Sequence, residues 1–549
     1  MTAPGPGGSP IGSALGALGA GTLAGLALPP LALPVLLWPA LAVLWQLLSS
    51  GRRTAVLLWG LAAVLTSHRW LLWLHPLDWI GVPTPLSLPL CLVIWLACGL
   101  AGGALVLLWS LPWRRLGLDR PATALLAATL WGLAEVQLAR GPLFWIGLGV
   151  SPLPSDRPLA GLAALGGAGL IATVQLLIGW GLWRTLRGRQ PWRRSLAGLL
   201  VLVLGVHLLG AAALRPAEAL ATTAGERQTL LVLQPAIPTR HKFEPAQQRR
   251  LLEQLAHTLD QLSAEPAAAA APSPTNGNVP AAQARALIPP PGVPSHGSLE
   301  TNTARLTPTW GGAIDAVLLP EGALPLDQPL PQPAPVEVLS GGFRRQGEGL
   351  RGALLRFEPG ERWPAGGVDK HRLVPLGEWV PLAGLLRWSG LSAVGGLEPG
   401  APSRLLNRPG GRIGVAICYE LADGRALAKA SREGAQWLLA SANLDPYPPL
   451  LQQQYAAVAQ LRAIETGRWL VSAANTGPSL LVDPAGQLRG GLPPQTSARG
   501  LLQLRKLKAL SVYDRWGERP LLLLLVLAGA YRALQGRKPE GASDGPPGT

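Results

Sequence analysis

Apolar residues dominate the first 214 positions, in runs long enough to matter. A helix of about 20 predominantly apolar residues spans a bilayer. Seven such runs lie near 11–28, 31–48, 54–74, 86–110, 121–139, 159–183 and 195–214, and an eighth lies near 519–534. The first has no basic segment before it and no small-residue cleavage site, so it reads as a retained helix. Residues 222–510 follow another pattern. QTLLVLQPA (228–236), AIDAVLLPE (313–321), RGALLRFE (351–358), GRIGVAICYE (411–420), AQWLLASAN (435–443) and RWLVSAAN (468–475) read as strands, with helices expected at 244–263 and 450–467. Near-continuous apolar strands between amphipathic helices predict an α/β domain with a buried sheet. The Ala/Pro/Ser-rich stretch 264–300 has no face to bury and is expected to be a disordered surface insertion.

Composition agrees with the spans. The 549 residues are 48% hydrophobic and only 14% charged, against about 25% charged in soluble domains. That excludes a disordered chain, a disulfide-stapled domain and an ordinary cytosolic enzyme. Cys91 and Cys98 fall in an apolar run, so no disulfide framework is expected.

The net charge of +16 acts mainly as an orientation signal. Ten of the thirteen basic residues before position 215 sit in alternate loops: Arg52 and Arg53; Arg114, Arg115 and Arg120; Arg184, Arg187, Arg189, Arg193 and Arg194. The positive-inside rule makes those loops and the N-terminus cytoplasmic. Residues 215–515 then lie outside, and the tail 535–549, with Arg537 and Lys538, returns inside. No basic motif interleaved with aromatics points to nucleic acid. The Trp residues within 38–79 are expected at the interface and on the lipid-facing surface.

Three residues of the extracytoplasmic domain stand where chemistry is plausible. Cys418 closes the strand GVAIC and is the only cysteine outside the membrane runs; alone, it is more often an inert buried thiol. Glu321 closes AVLLP, as a general base or a solvated loop carboxylate. Lys370, in DKHRLVPLGEWVP, would by default make a surface salt bridge. Together, Glu at a strand end with Lys and then Cys about 50 residues apart resembles the Glu-Lys-Cys triad of the nitrilase superfamily. A thiol needs a base or nearby cation to become a thiolate. An ammonium can stabilise the oxyanion that follows.

With seven spans before that domain and one after it, the whole chain resembles the bacterial apolipoprotein N-acyltransferases. LLPEGALP, DKHRLVPLGEWVP, GVAICYE, LVLQPAIPTRHKFEP and WGLAEVQLARGPLFWIGLGVSP carry the resemblance. It implies a seven-span membrane domain at 1–214, a nitrilase-like α-β-β-α sandwich at 222–510 and a closing span at 519–534. It further implies that Cys418 takes an acyl chain from a phospholipid, typically phosphatidylethanolamine, as a thioester. The chain then passes to the α-amine of a diacylglyceryl-modified N-terminal cysteine of an apolipoprotein. Glu321 is the implied base and Lys370 the oxyanion partner. Glu378 supports Lys370, while Tyr419 and Glu420 shape the pocket. Glu135, Arg140 and Phe243 (where the family commonly has Trp) are implied lipid contacts. No metal or organic cofactor is implied, and the location is the inner membrane with the catalytic domain periplasmic.

Two other function classes fit parts of this pattern. A membrane-tethered nitrilase-type amidase would use the same triad with water as acceptor, but needs only one anchor. A transporter predicts ionisable residues at mid-membrane depth, whereas the few charges here lie near span ends. Glu135 and Arg140 are alternatively a snorkelling pair, and Arg69 reads equally as snorkelling or phosphate contact. His68, His75 and His207 read as packing residues. His371 would suit a Cys-His mechanism only if Glu321 and Lys370 lost their roles.

Overall fold

The structure, a computed structural model, describes residues 10–78, 81–141, 143–188, 191–242, 244–264, 313–375, 377–379 and 396–536. Phe243 and residues 265–300 of the expected insertion lie outside the described residues.

The apolar first part folds as α1 (Pro10–Leu26), α2 (Pro34–Ser50), α3 (Arg53–Ser67), α4 (Thr84–Ser110), α5 (Pro121–Ala139), α6 (Ala163–Leu186) and α7 (Trp192–Thr223). Among the described residues, α4, α5, α6 and α7 are long and apolar enough to cross a membrane, while α1–α3 are shorter apolar helices. The run at 54–74 is not one helix. It stops at Ser67, and Arg69–Leu74 forms a separate 3-10 helix. The Ser67 hydroxyl bonds back to Val64 O and to His68 Nδ1, a local alternative to continuing the backbone ladder. The run at 159–183 is broken too. Asp156 caps a short turn at Arg157–Ala160, and Gly166 and Gly167 leave helical geometry within α6.

The Trp residues within 38–79 are not confined to the interface and the lipid-facing surface. Trp45 and Trp59 are buried within the bundle, donating to Leu176 O and Ala40 O at 3.1 Å each. A buried indole N–H needs an acceptor, and neighbouring-helix carbonyls supply it. Trp73, in contrast, is 69% exposed.

The second part contains twelve described strands. They are β1 (Arg227–Gln234), β2 (Ala316–Leu326), β3 (Glu337–Gln346), β4 (Gly349–Phe357), β5 (Pro364–Asp369), β6 (Leu405–Leu406), β7 (Ile413–Ile417), β8 (Leu438–Ala442), β9 (Leu470–Ala474), β10 (Leu480–Val482), β11 (Leu488–Gly491) and β12 (Ala498–Arg505). Helices α8 (Pro245–Ala264), α9 (Gly424–Arg432) and α10 (Pro449–Thr466) interleave with them, and α11 (Arg519–Gly536) closes the chain. Two six-stranded sheets result, in the orders β12-β1-β2-β3-β4-β5 and β11-β10-β9-β8-β7-β6.

Side chains alternating across β1 and β2 build the layers. Leu231, Val317 and Leu319 face Leu255 and Leu259 of α8. Leu230, Val232 and Leu318 face inward, in one cluster with Val415, Leu439 and Val471 of the second sheet. Leu427 of α9 and Leu461 of α10 belong to that cluster from the far side. This is a helix-sheet-sheet-helix sandwich. Strands β7, β8 and β9 run parallel, so their carboxyl ends share one edge, where such sheets place ligands.

Helix α10, rather than the strand ends, rests on the membrane helices along its length. Gln454 of α10 donates to Pro29 O at 3.2 Å and Ser67 O at 3.1 Å. Glu465 accepts from Ala168 N, at the break in α6, at 2.9 Å.

Candidate active site

The three candidate residues lie at a bulge within one strand or directly after the end of another. Glu321 does not end its strand as expected. Strand β2 continues to Leu326, and its pairing with β3 shifts register between Leu319 and Leu324. Such a bulge re-aims a side chain. Lys370 directly follows β5, and Cys418 directly follows β7.

The sandwich brings them together in one buried charge cluster. Lys370 is 1% exposed. Its Nζ donates to Glu321 Oε1 at 2.6 Å and to Glu378 Oε1 at 2.8 Å. The second oxygen of each acid takes a main-chain N–H, from Asn443 to Glu321 and from Val374 to Glu378, both at 2.9 Å. Burial pushes Lys370 down, but Glu321 and Glu378 outweigh it and hold the ammonium well above its ordinary value. Burial pushes Glu321 up, yet Lys370, Lys242 and the Asn443 N–H leave it below the usual carboxylate range. In Glu378, burial and the neighbouring Glu321 prevail over Lys370, and the carboxyl is raised. Two carboxyls whose environments push them apart divide acid-base roles. Glu321 is the ionised one, suited to take a proton.

Cys418 opens the 3-10 turn Cys418–Ala422 with φ +53°. That left-handed conformation is costly for a residue with a side chain and clusters at functional sites. Burial, and then Glu321, push its thiol well above the ordinary range, against the pull of Lys370. The thiol is therefore protonated at rest and needs a base.

Glu420 ties the cluster together. Its Oε1 accepts from His371 N at 2.7 Å and Arg372 N at 3.1 Å, and its Oε2 from Ile417 N at 2.8 Å and from Arg404 Nη1. Glu420 therefore holds the Lys370 loop against the Cys418 turn, which is more than lining a pocket. Tyr419 donates to Tyr447 Oη at 3.1 Å. The exposed His371 has Nδ1 on Gly400 O at 2.8 Å, so its imidazole is engaged by the backbone.

Two of the expected lipid contacts, Glu135 and Arg140, make different contacts with their surroundings. Glu135 is buried and clamps the loop after α5, accepting from Trp131 Nε1 at 2.7 Å, Leu148 N at 2.8 Å and Gly149 N at 3.1 Å. Arg140 is exposed and lies 3.7 Å from Asp423 of the catalytic domain.

Four further positions contact this cluster without having been singled out from the sequence. Lys242 donates to the Glu321 main-chain O at 3.1 Å, and Asn443 holds Glu321 through its N–H. Arg404 is the buried partner of Glu420. Arg372 donates to Ala139 O, Gly141 O, Leu143 O and Tyr419 O, joining the loop after α5 to the Cys418 turn. The one available signal was the place of Arg372 within DKHRLVP and of Lys242 within IPTRHKFEP; Arg404 and Asn443 carried none. Among the described residues, no group of three or more His, Cys, Asp or Glu is placed to hold a metal ion.

Residues 20–181 match the apolipoprotein N-acyltransferase N-terminal domain, and residues 331–504 match the carbon-nitrogen hydrolase family. Proteins named apolipoprotein N-acyltransferase resemble the chain nearly end to end. That of Prochlorococcus marinus (strain MIT 9313) is 48% identical over 530 residues, covering 93% of this chain and 94% of its own. That of Parasynechococcus marenigrum (strain WH8102) is 46% identical, covering 91% and 97%. That of Thermosynechococcus vestitus is 31% identical, covering 86% and 85%. A carbon-nitrogen hydrolase sandwich on apolar helices, matched at such identity over such length, gives the conclusion that this chain belongs to the apolipoprotein N-acyltransferase family.

Proposed function

We propose that this membrane protein moves a fatty acyl chain from a phospholipid, through a thioester on Cys418, to the α-amine of the N-terminal diacylglyceryl-cysteine of an apolipoprotein. In the first half-reaction Glu321 takes the Sγ proton, and the sulfur attacks the ester carbonyl carbon. The oxyanion gathers its charge beside Lys370 Nζ. As the C–O bond breaks, Glu321 returns the proton to the departing glycerol oxygen, and a lysophospholipid leaves. In the second, the acceptor amine attacks the thioester carbonyl. Glu321 takes an amine proton, the C–S bond breaks, and the proton goes back to sulfur. Phosphatidylethanolamine is the donor in this reading, and Glu135 and Arg140 shape the loops at the lipid side.

The topology belongs to the same proposal. The shorter α1–α3 and α11 join the four long helices to make eight spans of the inner membrane, with both termini cytoplasmic. The domains divide at 1–214, 222–510, 519–534 and 535–549.

The observation that supports the reading most is the Lys370 ammonium, held between Glu321 and Glu378 at 2.6 and 2.8 Å in the same charge cluster as the Cys418 thiol. The test is intact-protein mass spectrometry after incubation with phosphatidylethanolamine vesicles. A hydroxylamine-sensitive acyl adduct on Cys418, absent in Cys418→Ala, is expected. A folded protein that transfers acyl groups while Cys418 stays unmodified would sink the mechanism.

A further inference from the structure

Lys242 sits on a different element from every triad residue, yet its only side-chain hydrogen bond among the described residues reaches into the triad. It follows the single turn Thr239–His241 and precedes α8. Its Nζ donates to the main-chain O of Glu321 at 3.1 Å. No carboxylate among the described residues comes within ion-pair distance of it. A cation set on a neutral carbonyl at the floor of a cleft beside Glu321, with Gly322, Phe343 and Asn475 as further walls, is an uncommon use of a lysine.

The backbone there is shaped around it. Gly322 has φ +60°, and a Cβ on that residue would stand 2.6 Å from Lys242 Nζ. The bulge that aims Glu321 and the ammonium that grips it thus occupy one another's space. The groups facing this pair are Lys370 and Glu378 from the far side of Glu321, Asp445 after β8, and the Cys418 thiol.

We infer that Lys242 is a positioning residue for the acyl-transfer reaction: it clamps the carbonyl of the β2 bulge and so fixes the direction and charge state of the Glu321 carboxylate. The inference rests on Glu321 being the base that serves Cys418. Two physical effects are combined. The hydrogen bond fixes the peptide from which the side chain springs. The positive charge favours the ionised carboxylate, as an opposite charge at short range does, by roughly 1–3 pKa units.

The two effects separate by substitution. Lys242→Met removes both, Lys242→Gln removes the charge while keeping an amide donor, and Lys242→Arg keeps both. The readout is the rate of Cys418 acylation against pH in single turnover, with melting curves to establish that each variant is folded. Loss of the cation makes Glu321 easier to protonate. The acid limb of the profile is therefore expected to move to higher pH by roughly one unit in Lys242→Met and Lys242→Gln, and to return in Lys242→Arg. A merely structural lysine would lower the plateau and leave the limb in place, so unmoved limbs in both folded variants overturn the inference. Glu321→Gln separates that failure from failure of the underlying reading. If Glu321→Gln acylates normally, the base assignment and this inference fall together. If it is inactive while the Lys242 limbs stay put, only the role of Lys242 falls.

Discussion

Gly341 is where a single methyl group tests whether the β2 bulge matters. It lies on β3 directly beneath the bulge. A Cβ there would stand 2.7 Å from Gly322 N, and closer still to Glu321 Cα and Pro320 O. Ordinary contact begins at 3.4 Å, so Gly341→Ala forces a movement of at least about 0.7 Å, approaching 1 Å. All three obstacles are backbone atoms, and no flexible side chain can yield in their place. A misplacement of about 1 Å at a reacting group costs on the order of 10²-fold in rate, or about 2.7 kcal/mol of barrier. Overpacking itself costs about 1–3 kcal/mol of stability. The assay is the single-turnover rate of Cys418 acylation at a temperature where the variant is folded. Gly366→Ala on β5, where a Cβ meets nothing within 4 Å, is the control and should match the parent. A Gly341→Ala enzyme that acylates within twofold of the parent would refute the claim that the bulge sets the direction of Glu321.

Further expectations follow from the same geometry. Glu420→Ala strands the buried Arg404 guanidinium without its acid and three N–H groups without their acceptor; breaking such a pair costs about 3–5 kcal/mol. The melting temperature should drop by roughly 10 °C, and an unchanged melting curve contradicts the role given to Glu420. Burial pushes Glu465 up to about 7 despite the opposing pull of Arg462. Its folded value lies above the unfolded one, so its contribution to stability is present below about pH 4.5 and is lost as pH rises to about 7. The span is worth up to about 3 kcal/mol. Glu465→Gln should flatten that decline in a series of melting curves, and parallel curves for the two proteins would count against it. A fluorescent reporter that matures only in the cytoplasm, fused after Thr549, should be bright. A dark, stably inserted fusion reverses the proposed orientation.

How much of this was legible in the sequence differs by kind of element. Strands β1, β7, β8 and β9 announced themselves because both of their faces are buried, which makes VLQ- and VAI-type runs almost purely apolar. Strand β3 did not, since EVLSGGFRRQ mixes acid, glycine and arginine. The acid at its start pairs internally, Glu337 with Arg356 at 2.9 Å, a partnership that no pattern reveals. Membrane runs were readable as hydropathy but not as helices. The stops at Ser67 and Gly166-Gly167 come from side-chain hydrogen bonding and from contacts with the domain above. Cys418, Glu321 and Lys370 stood out by motif. Lys242 and Asn443 did not, because what ties them to the site is contact with Glu321, 79 and 122 residues away. The bulge was invisible too, since the pattern reads AVLLPE as a strand that simply ends.

The reach of Glu420 to both the Cys418 turn and the main chain after Lys370 bears on how a two-stroke enzyme changes partners. The Cys418 turn and the main chain after Lys370 are tied to one carboxylate, so neither can swing away without breaking main-chain hydrogen bonds to the buried Glu420. The reaction centre behaves as a fixed anvil. In the proposed reaction, donor and acceptor come and go past it in turn, each meeting the same arrangement of charges, and the asymmetry between the two half-reactions then rests on the chemistry of the guests.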